Sequence, residues 1–363
     1  MKICLIGKNL SNVVLASVLA NKKLAVDIIY DSVEKKKFPS RTLGISKSNF
    51  IFLNNINKKY KISAWPVDKI KIFCEDNEPK ELFEFNSQGQ ENFFLVKYDN
   101  LYKYFFNSLK SYKNIKFIKF KKKISQKYLY KSSKYNLIIN SDVSNEISKK
   151  FFFKKVEKRY GGCVYTGIIN HKKNKNNTAI QIFTKLGPLA FLPLSSKKTS
   201  IVFSFYNNRI IDQEKLIKLI SKYNLNYKII SYEKFEKFNL KFSMLRNYYY
   251  KNILSFGDFL HKIHPLAGQG FNMTVRDIKI LSDLIDERIK LGLDLDTTLL
   301  NDFQKKTKHK NYIFSFGIDF IHNFFKVDGS IKNSLSKPIF NVLNNNKYLN
   351  KYATLFADKG FNI

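Results

Sequence analysis

The stretch Gly257-Asp258-Phe259-Leu260-His261-Lys262-Ile263-His264-Pro265-Leu266-Ala267-Gly268-Gln269-Gly270-Phe271-Asn272 constrains this chain more than any other. An apolar run from Ile253 ends at Ser255-Phe256 and reads as a short buried strand. Gly257-Asp258 therefore sets one carboxylate at a strand's carboxyl end, where it suits a polyol hydroxyl. His264-Pro265 breaks the backbone, and Gly268-Gln269-Gly270 gives a turn with little side-chain bulk ahead of a periodic segment from Asn272 to Ile289. Met273, Val275, Ile278, Leu281, Leu284 and Ile285 make one face of that segment apolar, so it reads as a helix packed inward. The amino terminus of such a helix offers unpaired N–H groups and partial positive charge to an anion or an electron-rich ring edge. A strand, glycine turn and helix without a ligand would account for a lone turn of this kind. Asp, His-Pro, Gly-Gln-Gly and Asn within one segment favour a binding turn.

The amino terminus reads as a βαβ opening: strand Ile3-Cys4-Leu5-Ile6, a turn at Gly7, a helix from Val13 to Leu24 and a second strand from Ala25 to Tyr30. A dinucleotide fingerprint here needs three glycines, for a tight turn, for approach of the backbone to the pyrophosphate and for packing of helix on strand. Gly7 supplies the first, and Asn9 and Asn12 stand in the other two places. Asparagine tolerates left-handed backbone geometry, but its side chain crowds the phosphate and packing positions. The acidic residue expected at the end of the second strand falls on Tyr30, and the adjacent Asp31 replaces it if the strand end shifts by one. Taken alone, this opening is equally well an ordinary βαβ unit.

The glycine-rich stretch resembles that of the single-component flavoprotein aromatic hydroxylases, and among them the polyprenylphenol hydroxylases of ubiquinone biosynthesis. Their signature is Gly-Asp, a His and His-Pro-Leu-Ala-Gly-Gln-Gly-x-Asn, followed by an Arg-Asp pair, here Arg276-Asp277. A second stretch, Asn177-Thr178-Ala179-Ile180-Gln181-Ile182-Phe183-Thr184 followed by Gly187-Pro188-Leu189-Ala190-Phe191-Leu192-Pro193-Leu194, is similar to the family's substrate-domain strands. Weaker similarity runs through Arg41-Thr42-Leu43 and Ala64-Trp65-Pro66-Val67. The resemblance implies an α/β fold of the p-hydroxybenzoate hydroxylase type: a Rossmann-like FAD-binding domain, an inserted antiparallel-sheet substrate domain and a helical C-terminal cap. The expected boundaries are 1-62, 97-152 and 250-300 for the discontinuous FAD domain, 63-96 and 153-249 for the substrate domain, and 301-363 for the helical region.

The resemblance also implies FAD as cofactor and NAD(P)H as co-substrate, with oxygen transferred from a flavin hydroperoxide to the ring of a polyprenylated phenol. It places Gly7, Asn9, Asn12, Asp31, Arg41, Asp142, Gly257, Asp258, Pro265, Gly268, Gln269, Gly270 and Asn272 at the cofactor, with Asp258 on the ribityl chain, the Gly268-Gly270 turn and Asn272 facing the ring, and Arg41 near the flavin or its phosphates. Three departures weaken the adenosine diphosphate end or enlarge the flavin's surroundings. Val143 follows Asp142 where the family has glycine, Asn9 and Asn12 replace glycines, and Phe259-Leu260 replace small alanines. A non-catalytic member of the family, serving as an interaction or lipid-presenting part of a quinone-biosynthesis assembly, is the alternative they motivate. No catalytic residue is assigned. His261 is as well explained by a structural hydrogen bond as by proton transfer, and His264 by the shape of the turn.

Composition bounds the remainder. With 363 residues and 44% hydrophobic content the chain is long enough for two closely packed domains. The formal charge of +35 invites a nucleic-acid partner, but the excess is almost all lysine, dispersed among Asn, Ile, Phe and Tyr without a binding motif, so no specific nucleic acid is expected. Clusters such as Lys305-Lys310 suit acidic lipid headgroups or simply a solvated face. Cys4, Cys74 and Cys163 have neither paired nor metal-binding spacing, so no metal is expected and the compartment reads as reducing. Met1-Lys2-Ile3 runs straight into the first strand and no apolar stretch approaches the roughly 20 residues of a membrane span, so the expected location is cytoplasmic, at most peripheral on the inner face of a membrane. Other ubiquinone-biosynthesis proteins are expected as partners. Phe314, Phe316, Phe320, Phe324 and Phe325 form an aromatic stripe read as core packing rather than as a lipid-tail channel.

Overall fold

Two sheets carry the architecture. The computed structural model describes residues 1–31, 41–57, 60–75, 79–86, 93–120, 135–208, 210–264, 269–330 and 338–339. The first sheet has six strands in the order Tyr249–Tyr250, Ile253–Ser255, Leu137–Asn140, Lys2–Ile6, Ala25–Asp31 and Ile115–Phe120. All but the first of these run parallel to their neighbours. The helices are, in chain order, α1 (Leu10–Asn21), α2 (Lys47–Ile56), α3 (Tyr98–Leu109), α4 (Glu146–Phe151), α5 (Gln213–Lys222), α6 (Gln269–Lys290) and α7 (Thr297–Ser330). Every residue of α1 from Leu10 to Ala20 is buried, as expected of a helix apolar on all sides and enclosed by neighbours. The strand Lys2–Ile6 is likewise buried from Ile3 onward, the pattern of a central parallel strand covered on both faces.

The second sheet is larger and mixed. Its order is His261–Lys262, Glu236–Leu245, Lys155–His171, Lys198–Phe205, Gly187–Ser195, Thr178–Thr184, Lys69–Glu75 and Pro79–Asn86, with Ile229–Tyr232 paired alongside Lys155–His171. The pairing is antiparallel except at one joint, where Thr178–Thr184 runs parallel to Lys69–Glu75. The expected antiparallel sheet thus holds except at that joint. A strand drawn from a distant part of the chain enters the sheet without a hairpin, so its direction is not set by a turn. Thr42–Ser46, Phe93–Lys97 and Trp65–Val67 make a small third sheet.

Two elements begin earlier than the sequence suggested. The first helix starts at Leu10 rather than Val13, because Asn9 caps it, and α6 starts at Gln269, which puts Gln269 and Gly270 inside its first turn instead of in a loop before it. The C-terminal helical reading holds through α7, whereas its second segment, Ser334 to Phe356, lies almost wholly outside the described residues. The aromatic stripe divides: Phe314 and Phe325 are in the core, while Phe316 and Phe320 are exposed. Phe259 and Leu260 are also core residues of the parallel-sheet half, so their bulk is buried in its core. Among the described residues no helix is long and apolar enough to cross a membrane.

Candidate functional site

The strand Lys2–Ile6 is followed by a helix that leads to Ala25–Asp31 on one side, while its other neighbour is the later strand Leu137–Asn140. The crevice outside the carboxyl ends of these two strands is thus a topological switch point, the place where open parallel sheets bind ligands. Gly7 opens it. Its φ is +104°, which favours glycine, and a Cβ there would lie in tight contact with Ser141 Oγ at 3.0 Å. Asn9 caps α1: its Oδ1 accepts the Asn12 N–H at 3.1 Å. Its Nδ2 donates to Ser141 Oγ at 2.7 Å and to the Ser141 carbonyl at 3.3 Å. The side chain therefore bridges the crevice from one strand end to the other.

Asn12 does not crowd the helix packing as expected. Fully buried, it turns its Nδ2 back to donate to the carbonyls of Ile6 at 2.9 Å and Gly7 at 2.7 Å, and its Oδ1 has no partner among the described residues. Asp142 is buried as well, its Oδ1 accepting the N–H and hydroxyl of Ser144. Asp31 ends its strand half-buried, and the Lys8 ammonium sits 4.9 Å from the centre of the adjacent Tyr30 ring. Burial, together with Lys110 and Lys119, lowers the pKa of that ammonium.

A chain of contacts leads from this loop to a second group. The Leu10 N–H donates weakly to the Tyr98 hydroxyl at 3.4 Å, the Arg41 guanidinium covers the Tyr98 ring at 4.8 Å, and Arg41 Nη2 lies 3.6 Å from Asp258 Oδ2. Arg41 and Asp258, 40% and 60% exposed, are thus brought from distant parts of the chain to one open edge. Burial raises the Tyr98 pKa, which keeps its hydroxyl protonated. Gly257 makes this approach possible: its φ is +63°, and a Cβ would stand 2.6 Å from Ser11 Oγ on α1.

The α6 residues divide. Asn272 was expected to face a flavin ring. Instead it is buried and holds the small sheet to α6: Nδ2 donates to Gly44 O at 2.8 Å, and Oδ1 accepts from Ser46 N and Asn49 Nδ2, each at 3.0 Å. Gln269 is buried in the same turn, and at Gly270 an added Cβ would meet only Ile263, at 3.7 Å. Pro265 and Gly268 lie outside the described residues. His261 is held by Asp277, Nε2 to Oδ2 at 2.7 Å, and Asn311 of α7 donates to the other carboxylate oxygen at 3.1 Å. The Asp of the Arg-Asp pair therefore ties His261 to the C-terminal helix. Among the described residues no cluster of three or more His, Cys, Asp or Glu side chains is placed to hold a metal.

Sequence reasoning missed Ser141, Tyr98 and Lys8. Lys8 was legible as the cation inside the glycine loop; Ser141 and Tyr98 carry no signal until strand pairing brings them to it.

No family model matches the chain. The chain is 27% identical to the mitochondrial ubiquinone biosynthesis monooxygenase COQ6 of Dictyostelium discoideum, over 46% of this chain and 42% of that protein. It is 30% identical to the 3-demethoxyubiquinol 3-hydroxylase of Escherichia coli over 40% and 39% of the respective lengths. The alignments thus span less than half the length of these relatives. The crystal structure of a p-nitrophenol 4-monooxygenase from Pseudomonas putida superposes with a TM-score of 0.80 at 9% identity, covering 99% of this chain and 98% of that one. A probable FAD-dependent monooxygenase of Pseudomonas aeruginosa gives 0.67 at 12%, covering 95% and 100%. The resemblance read from the sequence is borne out, and the fold is that of the FAD-dependent aromatic monooxygenases.

Proposed function

We propose that the chain is an FAD-dependent monooxygenase that hydroxylates the ring of a polyprenylphenol in ubiquinone biosynthesis, with NAD(P)H and dioxygen as co-substrates. The observation that carries the reading is the meeting of Arg41 and Asp258 at the open carboxyl edge of the parallel sheet, beside the amino terminus of α1. Both stay partly exposed, and their 3.6 Å separation is too long for a tight ion pair, so each retains capacity for a ligand.

The residues present fit a flavin dinucleotide. Gly7 and Gly257 leave bare backbone where side chains would collide, Asp258 suits the hydroxyls of the ribityl chain, and Arg41 suits the phosphates or the ring. When bound, the flavin supplies the electron transfer and oxygen chemistry that protein side chains lack. The protein's part is to bind, orient and exclude water. Tyr98, held protonated, braces the guanidinium of Arg41 from behind. Asp277 fixes His261, and through it the strand His261–Lys262.

The second reading, a non-catalytic member of the family, is favoured by one observation: Asn9 occupies the phosphate end, its Oδ1 on the Asn12 N–H and its Nδ2 on Ser141. An FAD titration followed by absorption separates the two. Stoichiometric uptake, with NAD(P)H oxidation stimulated by polyprenylphenols, is expected of the enzyme. Absence of uptake at high FAD would leave the second reading.

A further inference from the structure

A separate concentration of polar side chains is buried where the mixed sheet meets α7. His264, five residues before α6, and His322 on α7 are 1% and 2% exposed. Their ring centroids are 4.1 Å apart with planes inclined by 31°. Tyr160, on the long strand Lys155–His171, packs edge-on against both, at 5.4 Å and 4.9 Å, and Tyr206 lies 5.3 Å from His322. Tyr160 sits where the register of its strand against Glu236–Leu245 shifts, between Arg159 and Cys163. Bulges of this kind re-aim side chains and are frequent beside active sites.

The surroundings are apolar: Phe242 and Met244 of the sheet, Met273 of α6, and Phe314, Ile318 and Phe325 of α7 form the core against which Tyr160 packs. Among the described residues, both nitrogens of His264, Nδ1 of His322 and the hydroxyl of Tyr206 have no hydrogen-bond partner, and the Tyr160 hydroxyl has only the Asp319 carboxylate near it. Each such group costs about 1–3 kcal/mol to bury, and native interiors hold few of them. A core needing only bulk at these positions is served better by phenylalanine, of which the chain has 34. Unpaired polar atoms from three remote parts of the chain, gathered in one apolar place, have the character of a site whose partner atoms come from a ligand.

The imidazoles are neutral near neutral pH. Burial lowers both pKa values, that of His322 to about 4, and His322 lowers that of His264 further. Burial and the nearby carboxylates, Asp319 for Tyr160 and Asp328 for Tyr206, hold both phenols protonated. Asp319 is also the partner of Lys158, whose ammonium lies near His322, as does that of Lys326. A neutral imidazole offers one donor and one acceptor, and so does a phenolic hydroxyl. A carboxylate would instead be buried close to the like charges of Asp319 and Asp328.

We propose that His264, His322, Tyr160 and Tyr206 form a recognition site for a neutral oxygenated aromatic ring, a phenol or quinol without a carboxylate, whose oxygens complete the hydrogen bonds of the imidazole pair. This deepens the hydroxylase reading and rests on it for the reaction that follows binding; the binding is testable by itself.

The test titrates guaiacol, and separately benzoate, into the purified full chain labelled with nitrogen-15 at histidine, with the imidazole signals and calorimetry as readouts. Saturating guaiacol is expected to move the His264 and His322 ring-nitrogen signals, and benzoate to leave them in place. His322→Phe and His264→Phe keep ring volume; each is expected to weaken guaiacol binding about tenfold or more with a thermal midpoint equal to or above that of the native chain. Unmoved imidazole signals, no guaiacol binding, or native guaiacol affinity in the phenylalanine variants would overturn the proposal, and lower stability with unchanged affinity would mark the pair as structural. FAD titration in parallel keeps the two readings apart. Imidazole-dependent guaiacol binding without FAD uptake retains the ring site and rejects the hydroxylase. FAD uptake with variants that bind guaiacol normally does the reverse.

Discussion

Replacing Asn9 with glycine should tighten FAD binding while weakening the apo fold. For a pyrophosphate to use the first-turn N–H groups of α1, the Asn9 Oδ1 must release the Asn12 N–H, and the side chain must leave Ser141. Each of those two interactions contributes about 1 kcal/mol net, so holding the loop open costs about 2 kcal/mol of binding energy. Glycine removes that cost, and because it serves as an N-cap only a few tenths of a kcal/mol less well than asparagine, the helix keeps its start. The expected gain is about 30-fold in FAD affinity, measured by quenching of flavin fluorescence. Loss of the Ser141 link should lower apo stability by about 1 kcal/mol in urea titrations. Ser141→Ala, which removes the 2.7 Å contact and leaves the cap, should give a smaller gain. An Asn9→Gly protein that binds FAD more weakly than the native chain would refute the reasoning, because it would make Asn9 a phosphate ligand rather than an obstruction.

Asp258→Ala should weaken FAD binding about tenfold or more, the value of a hydrogen bond to a charged group, yet leave the urea midpoint nearly unchanged because the contact with Arg41 is half-exposed. Asp277→Ala should do the opposite, costing about 3 kcal/mol of stability by leaving the buried His261 and Asn311 without their common partner; denaturant titration reads this directly. Stability should also fall on mild acidification. The folded-state pKa of His322 is depressed to about 4, so between the unfolded value near 6.5 and 4 the unfolded chain binds more protons. About 2 kcal/mol should be lost between pH 7 and pH 5 from this group, and His322→Phe should abolish that share of the slope in paired urea titrations.

What the sequence disclosed follows from how local each feature is. The strands Lys2–Ile6 and Ile253–Ser255 and the helix α6 are written in contiguous apolar patterns, and the carboxylate of Asp258 is positioned by the residues just before it. The fate of Asn272 was hidden, because its partners Gly44, Ser46 and Asn49 arrive from a distant segment. The same holds for the bridge from Asn9 to Ser141, which exists only because Lys2–Ile6 and Leu137–Asn140 are neighbours in the sheet. His322 carries no signal in the sequence, where it stands among the phenylalanines of the aromatic stripe, since an unpaired nitrogen is a property of the assembled core.

The interrupted parallel sheet has a consequence for how the chain is made. Leu137–Asn140 waits for Ile253–Ser255 as its outer neighbour, and six of the nine strands of the mixed sheet are translated in between. At the usual pace of synthesis that interval lasts roughly 6–20 s, during which the edge of a buried strand has no mate. Open edges of this kind recruit other chains. The lysines dispersed along the chain oppose such pairing among nascent copies by like-charge repulsion.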